Sequence, residues 1–130
     1  MQPAKDIVGV VEKVTIIGNR RIDVYALFDT GAKQSSIDLQ LASEIGLGPV
    51  IGTKTVKQAS SKRRVMRPVV SAKIKIFGRV IRCKVNLEDR SHMKFPVIIG
   101  RNINSKFLID PSRNAKLLRV FGLKDTSEIN

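Results

Sequence analysis

A chain of 130 residues, 42% of them hydrophobic, suffices for one ordinary domain with a real core, and no apolar run approaches the roughly 18 to 20 residues that span a bilayer. Twenty-four Lys and Arg face eleven Asp and Glu, a formal net charge of +13 that attracts acidic partners or polyanions and says nothing of the fold. The single cysteine, Cys83, excludes an internal disulfide, and the opening MQPAKDIVGV lacks the pattern of a signal peptide; both fit a cytoplasmic protein with no membrane segment.

In chain order the pattern is mostly of period two. The segment 7–17, IVGVVEKVTII, is rich in β-branched residues and ends at the turn signal Gly18-Asn19. Residues 20–28, RRIDVYALF, follow with Ile22, Val24, Ala26 and Phe28 on one face, and the two segments read as a hairpin. Asp38 is placed to cap a short helix over LQLASEIG, which Gly46 ends. The segment 52–68, GTKTVKQASSKRRVMRP, reads either as a hairpin arm reaching out from the domain or as a surface loop without a role. Residues 71–87, SAKIKIFGRVIRCKVNL, form a second hairpin, with Gly78-Arg79 as its two-residue turn and Cys83 on the apolar face as a small buried hydrophobe. PVIIG, 96–100, is a short buried strand, and RNINS after it makes one helical turn. FLIDPSRN is a strand with a turn around Pro111, and AKLLRVFGL, 115–123, is read as a last strand. The expectation is one all-β domain over 1–123, mainly β with one or two short helices, closed as a small barrel or a sandwich, with a polar tail over 124–130.

Charge is uneven along this order. No acidic residue occurs between Glu44 and Glu88, whereas eleven Lys and Arg do. Such a field suits nucleic acid, an anionic surface or an acidic peptide, or simply a solubilising surface.

The candidate site is Asp29, in YALFDTGAKQSSID. An apolar strand delivers its carboxylate to the interior, Thr30 is able to hydrogen-bond to a neighbouring backbone, and Gly31 permits close approach. Asp-x-Gly is equally the composition of a common turn. A second segment about seventy residues later, FPVIIGRNI, is apolar-apolar-Gly followed by a helix start.

LFDTGA followed by VIIGRN resembles the motif pair of the retropepsins, the small aspartic proteases. FDTGAKQSS, MRPVV, LEDRSHMKFPVIIGR and FLIDPSR, in that order over Val24 to Arg113, resemble a prokaryotic retropepsin-like family often labelled an ATP-dependent zinc protease and associated with a ribosomal-protein glutamate ligase. The resemblance implies a closed barrel of the retropepsin type, Asp29 as the catalytic aspartate, and Thr30, Gly31, Ala32 and Gly100 as its support. It also implies substrates carrying added glutamates. The zinc and ATP of the label have no counterpart among the residues. His92 is the only histidine, in a polar run that reads as exposed loop, and neither His-Glu-x-x-His nor a phosphate-binding Gly-rich loop is present. No metal and no cofactor are therefore expected.

Aspartic proteolysis needs two carboxylates, and one Asp-Thr-Gly supplies one. The expectation is a homodimer in which Asp29 of each subunit meets on a two-fold axis. In a monomer the second acid would come from Glu88, Asp89 or Asp110. Their bland roles are a turn before Pro111 for Asp110 and a pair with Arg90 for Asp89. Arg63, Arg64, Arg67 and Arg90 are candidates for holding an acidic peptide. The competing reading is a non-catalytic basic module on a protease-like scaffold, contacting RNA or ribosome by charge. One Tyr and five Phe offer few stacking platforms, so nucleic acid is not the primary partner expected.

Overall fold

A computed structural model describes residues 5–57 and 62–122. The elements are β1 (Asp6–Val8), β2 (Val11–Ile17), β3 (Arg21–Phe28), β4 (Ser35–Asp38), α1 (Leu39–Glu44), β5 (Val50–Lys57), β6 (Arg64–Ile76), β7 (Arg79–Glu88), β8 (Val97–Ile99), α2 (Arg101–Asn104), β9 (Phe107–Ile109) and α3 (Ala115–Val120).

The period-two pattern becomes two hairpins. β2 and β3 pair antiparallel, Val14 opposite Val24, and Ile22, Val24, Ala26 and Phe28 all face the main core. β6 and β7 pair antiparallel through a two-residue loop. That loop is Phe77-Gly78, one residue earlier than the expected Gly78-Arg79, because Ile76 pairs with Arg79. Both loop residues have positive φ, 51° and 78°, the twist that matches two flanking strands.

The strands join in the order β2-β3-β8-β4-β7-β6, and β6 pairs back to β2, so six strands close a barrel. Two of the joins are parallel, β3 with β8 and β4 with β7, and they bring the two ends of the sequence together. Inside lie Val14, Ile16, Ile37, Ile74, Ile76, Val85, Val97 and Ile99, each almost fully buried. Burial of one such side chain is worth about 1.5–3 kcal/mol.

Among the described residues β5 pairs with β6 alone, from Val50 opposite Val70 to Lys57 opposite Arg64, and the Arg64 to Pro68 end of the pair runs beyond the β6–β7 ladder as a hairpin arm. The middle of the arm's sequence, 58–61, and the polar tail lie outside the described residues.

Gly9 separates β1 from β2, in what the sequence suggests is one strand. A methyl group there would come within 2.7 Å of the Arg113 carbonyl oxygen. β1 then pairs in parallel with β9. β4 falls within a stretch of the sequence whose strand character goes unread.

The segment 115–123 is a correction. The expected last strand is the helix α3 with a C-terminal turn, Gly122 having φ +75°. Leu117, Leu118 and Phe121 share one helical face and pack on a second apolar cluster with Val10, Val11, Leu27, Phe95 and Ile98, while Val120 is exposed. Among the described residues no helix is long and apolar enough to cross a membrane.

Candidate active site

Asp29 follows the last residue of β3. Its backbone N–H donates to the Ile99 carbonyl at 2.9 Å, continuing the β3–β8 ladder by one bond. Its Oδ1 accepts from the Gly31 N–H at 2.8 Å, and its carbonyl accepts from the Ala32 N–H at 3.2 Å. The Asp-Thr-Gly segment is therefore a turn, and the same turn fixes the carboxylate at the end of a buried strand. Thr30 is exposed at this turn, and its carbonyl accepts from Arg101 Nη1 at 3.3 Å.

The second motif lies beneath. A Cβ on Gly100 would sit 2.6 Å from the Gln34 carbonyl carbon and 2.9 Å from the Ala32 oxygen, so only glycine allows β8–α2 to pass so close to the loop. Arg101 N–H donates to the Ala32 carbonyl at 2.8 Å. Ser35, fully buried, ties the two segments together. Its Oγ accepts from Gly100 N–H (2.9 Å) and donates to Asn102 Oδ1 (2.9 Å), which also accepts from the Ser35 N–H (3.0 Å). Asn102 Nδ2 in turn donates to the Lys84 carbonyl. Asp29, Thr30, Gly31, Ala32 and Gly100 are thus brought together. Ser35 and Asn102 were not singled out from the sequence, where isolated Ser and Asn beside a glycine motif look like ordinary loop residues.

Asp29 opens into a cleft of about 560 Å³. Its apolar wall includes Leu27 and Ile98, and β5 of the arm lines it from Lys54 to Lys57. Among the described residues five basic side chains line it, Lys33, Lys54, Lys57, Arg67 and Arg90, against two carboxylates, Asp29 and Glu88. Of the four arginine candidates, Arg67 and Arg90 are in this lining, while Arg63 and Arg64 are not.

A second polar network lines the cleft, centred on Asn86, which is 3% exposed. Asn86 Oδ1 accepts from Ser36 Oγ (2.6 Å) and Arg67 Nη1 (3.3 Å), and Asn86 Nδ2 donates to Gln34 Oε1 (3.0 Å). Arg67 Nη2 reaches Glu88 Oε2 at 2.7 Å, and Arg90 Nη1 reaches Glu88 Oε1 at 2.5 Å. Arg90 therefore pairs with Glu88, and Asp89 instead accepts from the Ser91 N–H. Of the three alternative acids, Glu88 alone lines the cleft. Asp89 and Asp110 are turn residues whose carboxyls are held below the usual range by hydrogen bonds from Ser91 and Ser112. His92 is exposed, and no group of three metal-ligating side chains occurs among the described residues.

The fold has solved counterparts. A Legionella pneumophila protein of unknown function superposes with a TM-score of 0.57 at 24% identity, over 84% of this chain and 95% of that one. The EIAV protease in complex with the inhibitor HBY-793 gives 0.59 at 22% identity, over 73% and 84%. The Simian Foamy Virus protease gives 0.54 at 15% identity, over 73% and 91%. At these identities the likeness is one of fold. No match was found among curated proteins. A family model described as the RimB-like, retropepsin-like aspartic endopeptidase matches residues 43–117, more than half of the chain, and the chain belongs to that family.

Proposed function

We propose that this protein is an aspartic peptidase that hydrolyses peptide bonds with a pair of Asp29 carboxylates, one from each subunit of a two-fold homodimer. The observation that carries the reading is the placement of Asp29 at the floor of an open cleft, on a loop braced from beneath by Gly100, Ser35 and Asn102. The family match begins after Asp29, so the choice of this residue rests on the cleft and on the FDTGA motif.

The chemistry follows from the pair. Two carboxyls at close range share one proton, because both ionising together is costly. The ionised member takes a proton from water, which attacks the scissile carbonyl. The protonated member supplies a proton to the developing oxyanion, and no covalent intermediate forms. Collapse of the tetrahedral species releases the amine, which takes up the proton held by the first carboxyl. Thr30, Gly31 and Ala32 hold the loop geometry, and the arm forms the wall facing Asp29.

Three more basic than acidic groups in the lining favour a substrate with carboxylate side chains, in keeping with a glutamate-bearing peptide. The decisive variant is Asp29→Asn. It removes the acid–base group and keeps the Gly31 hydrogen bond, so peptide cleavage should fall to background with an unchanged melting temperature. Undiminished cleavage by the folded variant would refute the assignment.

A further inference from the structure

We propose that Glu88 is a specificity-determining residue of the cleft: its carboxylate is a built-in competitor for Arg67 and Arg90 and sets how tightly an acidic substrate side chain is held. The inference rests on the acidic-peptide reading above and deepens it.

Glu88 occupies the last position of β7 and binds one guanidinium with each oxygen, Arg67 at 2.7 Å and Arg90 at 2.5 Å. All three side chains are largely shielded, with exposures of 20%, 9% and 17% for Arg67, Arg90 and Glu88. All three line the cleft that holds Asp29. Two cations and one anion leave one positive charge in excess, and shielding makes that excess count for more than it would at an open surface.

Both arginines have further contacts besides Glu88. The Arg90 backbone N–H donates to Asp38 Oδ1 at 2.8 Å, and its Nε donates to the Phe95 carbonyl at 2.9 Å. Arg67 is held by Asn86 and by the β5–β6 ladder, opposite Lys54. Two pre-oriented guanidinium groups face one cleft, a geometry that suits a carboxylate. Glu88 already fills that role, so an entering acid meets forks that are half engaged. Removing one member of a shielded ion group leaves uncompensated charge, and here the charge left behind is cationic and faces the substrate.

The test measures binding without turnover, in the Asp29→Asn background, by fluorescence anisotropy. Two peptides of equal length are compared, one bearing glutamates and the other glutamines at the same positions. Adding Glu88→Gln keeps the length and one acceptor oxygen and removes the charge. It should raise the preference for the glutamate peptide about tenfold, and Arg67→Gln should lower it by a similar factor. An unchanged or reduced preference in a folded Glu88→Gln protein overturns the proposal. Should that variant fail to fold by circular dichroism, Arg67→Gln decides, and an unchanged preference there overturns it. Absence of any preference in the Asp29→Asn protein itself defeats the acidic-peptide reading alone, since Glu88→Gln must still create a preference.

Discussion

Gly100 shows how a single residue decides the site. An alanine methyl group there would overlap backbone atoms of Gln34 and Ala32, which have no rotamer to escape into. Gly100→Ala should therefore cost about 1–3 kcal/mol in denaturant unfolding and displace the Asp29 loop, so that peptidase activity falls further than stability does. Stability and activity unchanged from wild type would show that the crossing beneath the loop is looser than described. The close approach of this residue to the Asp29 loop was expected from the resemblance, which two short local motifs carry. Ser35, Asn86 and Asn102 were not, because their roles come from partners 50 to 67 positions away in the chain. Cys83, expected as a buried small hydrophobe, is half-buried against the core. Burial pushes its pKa from 9.0 up to about 11. The folded state then holds the proton more tightly than the unfolded state, so this contribution to stability is present below pH 9 and is lost as pH rises toward 11. At neutral pH the native thiol should react with a disulfide reagent far more slowly than the urea-unfolded one. Equal rates would contradict its shielding.

At the scale of elements, both hairpins, α1 and the β8–α2 step were legible because each is written in local periodicity or a local cap. Asp38 accepts from the Leu41 N–H at 3.2 Å as the cap of α1. α3 was misread as a strand. Its sequence carries apolar residues at 117, 118, 120 and 121, and only the surface it packs on decides between the two periods. That surface includes Leu27 and Ile98, which also line the cleft, so α3 backs the apolar wall of the site. Leu118 is 5% exposed within this cluster. Leu118→Ala should destabilise by about 2–4 kcal/mol, as expected when a buried leucine is truncated. Because the cavity opens behind cleft residues, the Michaelis constant for an apolar-flanked peptide should also rise. A loss of less than half a kcal/mol, with kinetics unchanged, would mean that α3 is not seated on the wall.

At the scale of the whole molecule, closure of the barrel depends on two parallel pairings that join segments about 50 to 70 residues apart, and no local pattern in the sequence announces them. The resemblance supplied that topology where periodicity alone left barrel and sandwich open. The same scale holds the question of the second carboxylate. Glu88 shares the cleft with Asp29, but each of its oxygens is engaged by an arginine, which leaves neither free to face a water or a scissile carbonyl. A second Asp29 meets no such obstacle, since among the described residues its carboxylate pairs with no cation and its Oδ1 accepts from the Gly31 N–H. Subunit mixing separates the two cases. If each active site needs two intact Asp29 residues, wild-type protein equilibrated with a tenfold excess of Asp29→Asn finds an intact partner only about one time in eleven, and activity per wild-type subunit falls to about a tenth. If each chain works alone, the excess variant changes nothing beyond competition for substrate, which saturating peptide removes. Dilution should act in the same direction, with specific activity falling as subunits part and sedimentation reporting the monomer over the same concentration range. Full activity in a sedimenting monomer would transfer the second role to Glu88 and require its two arginines to release it during turnover.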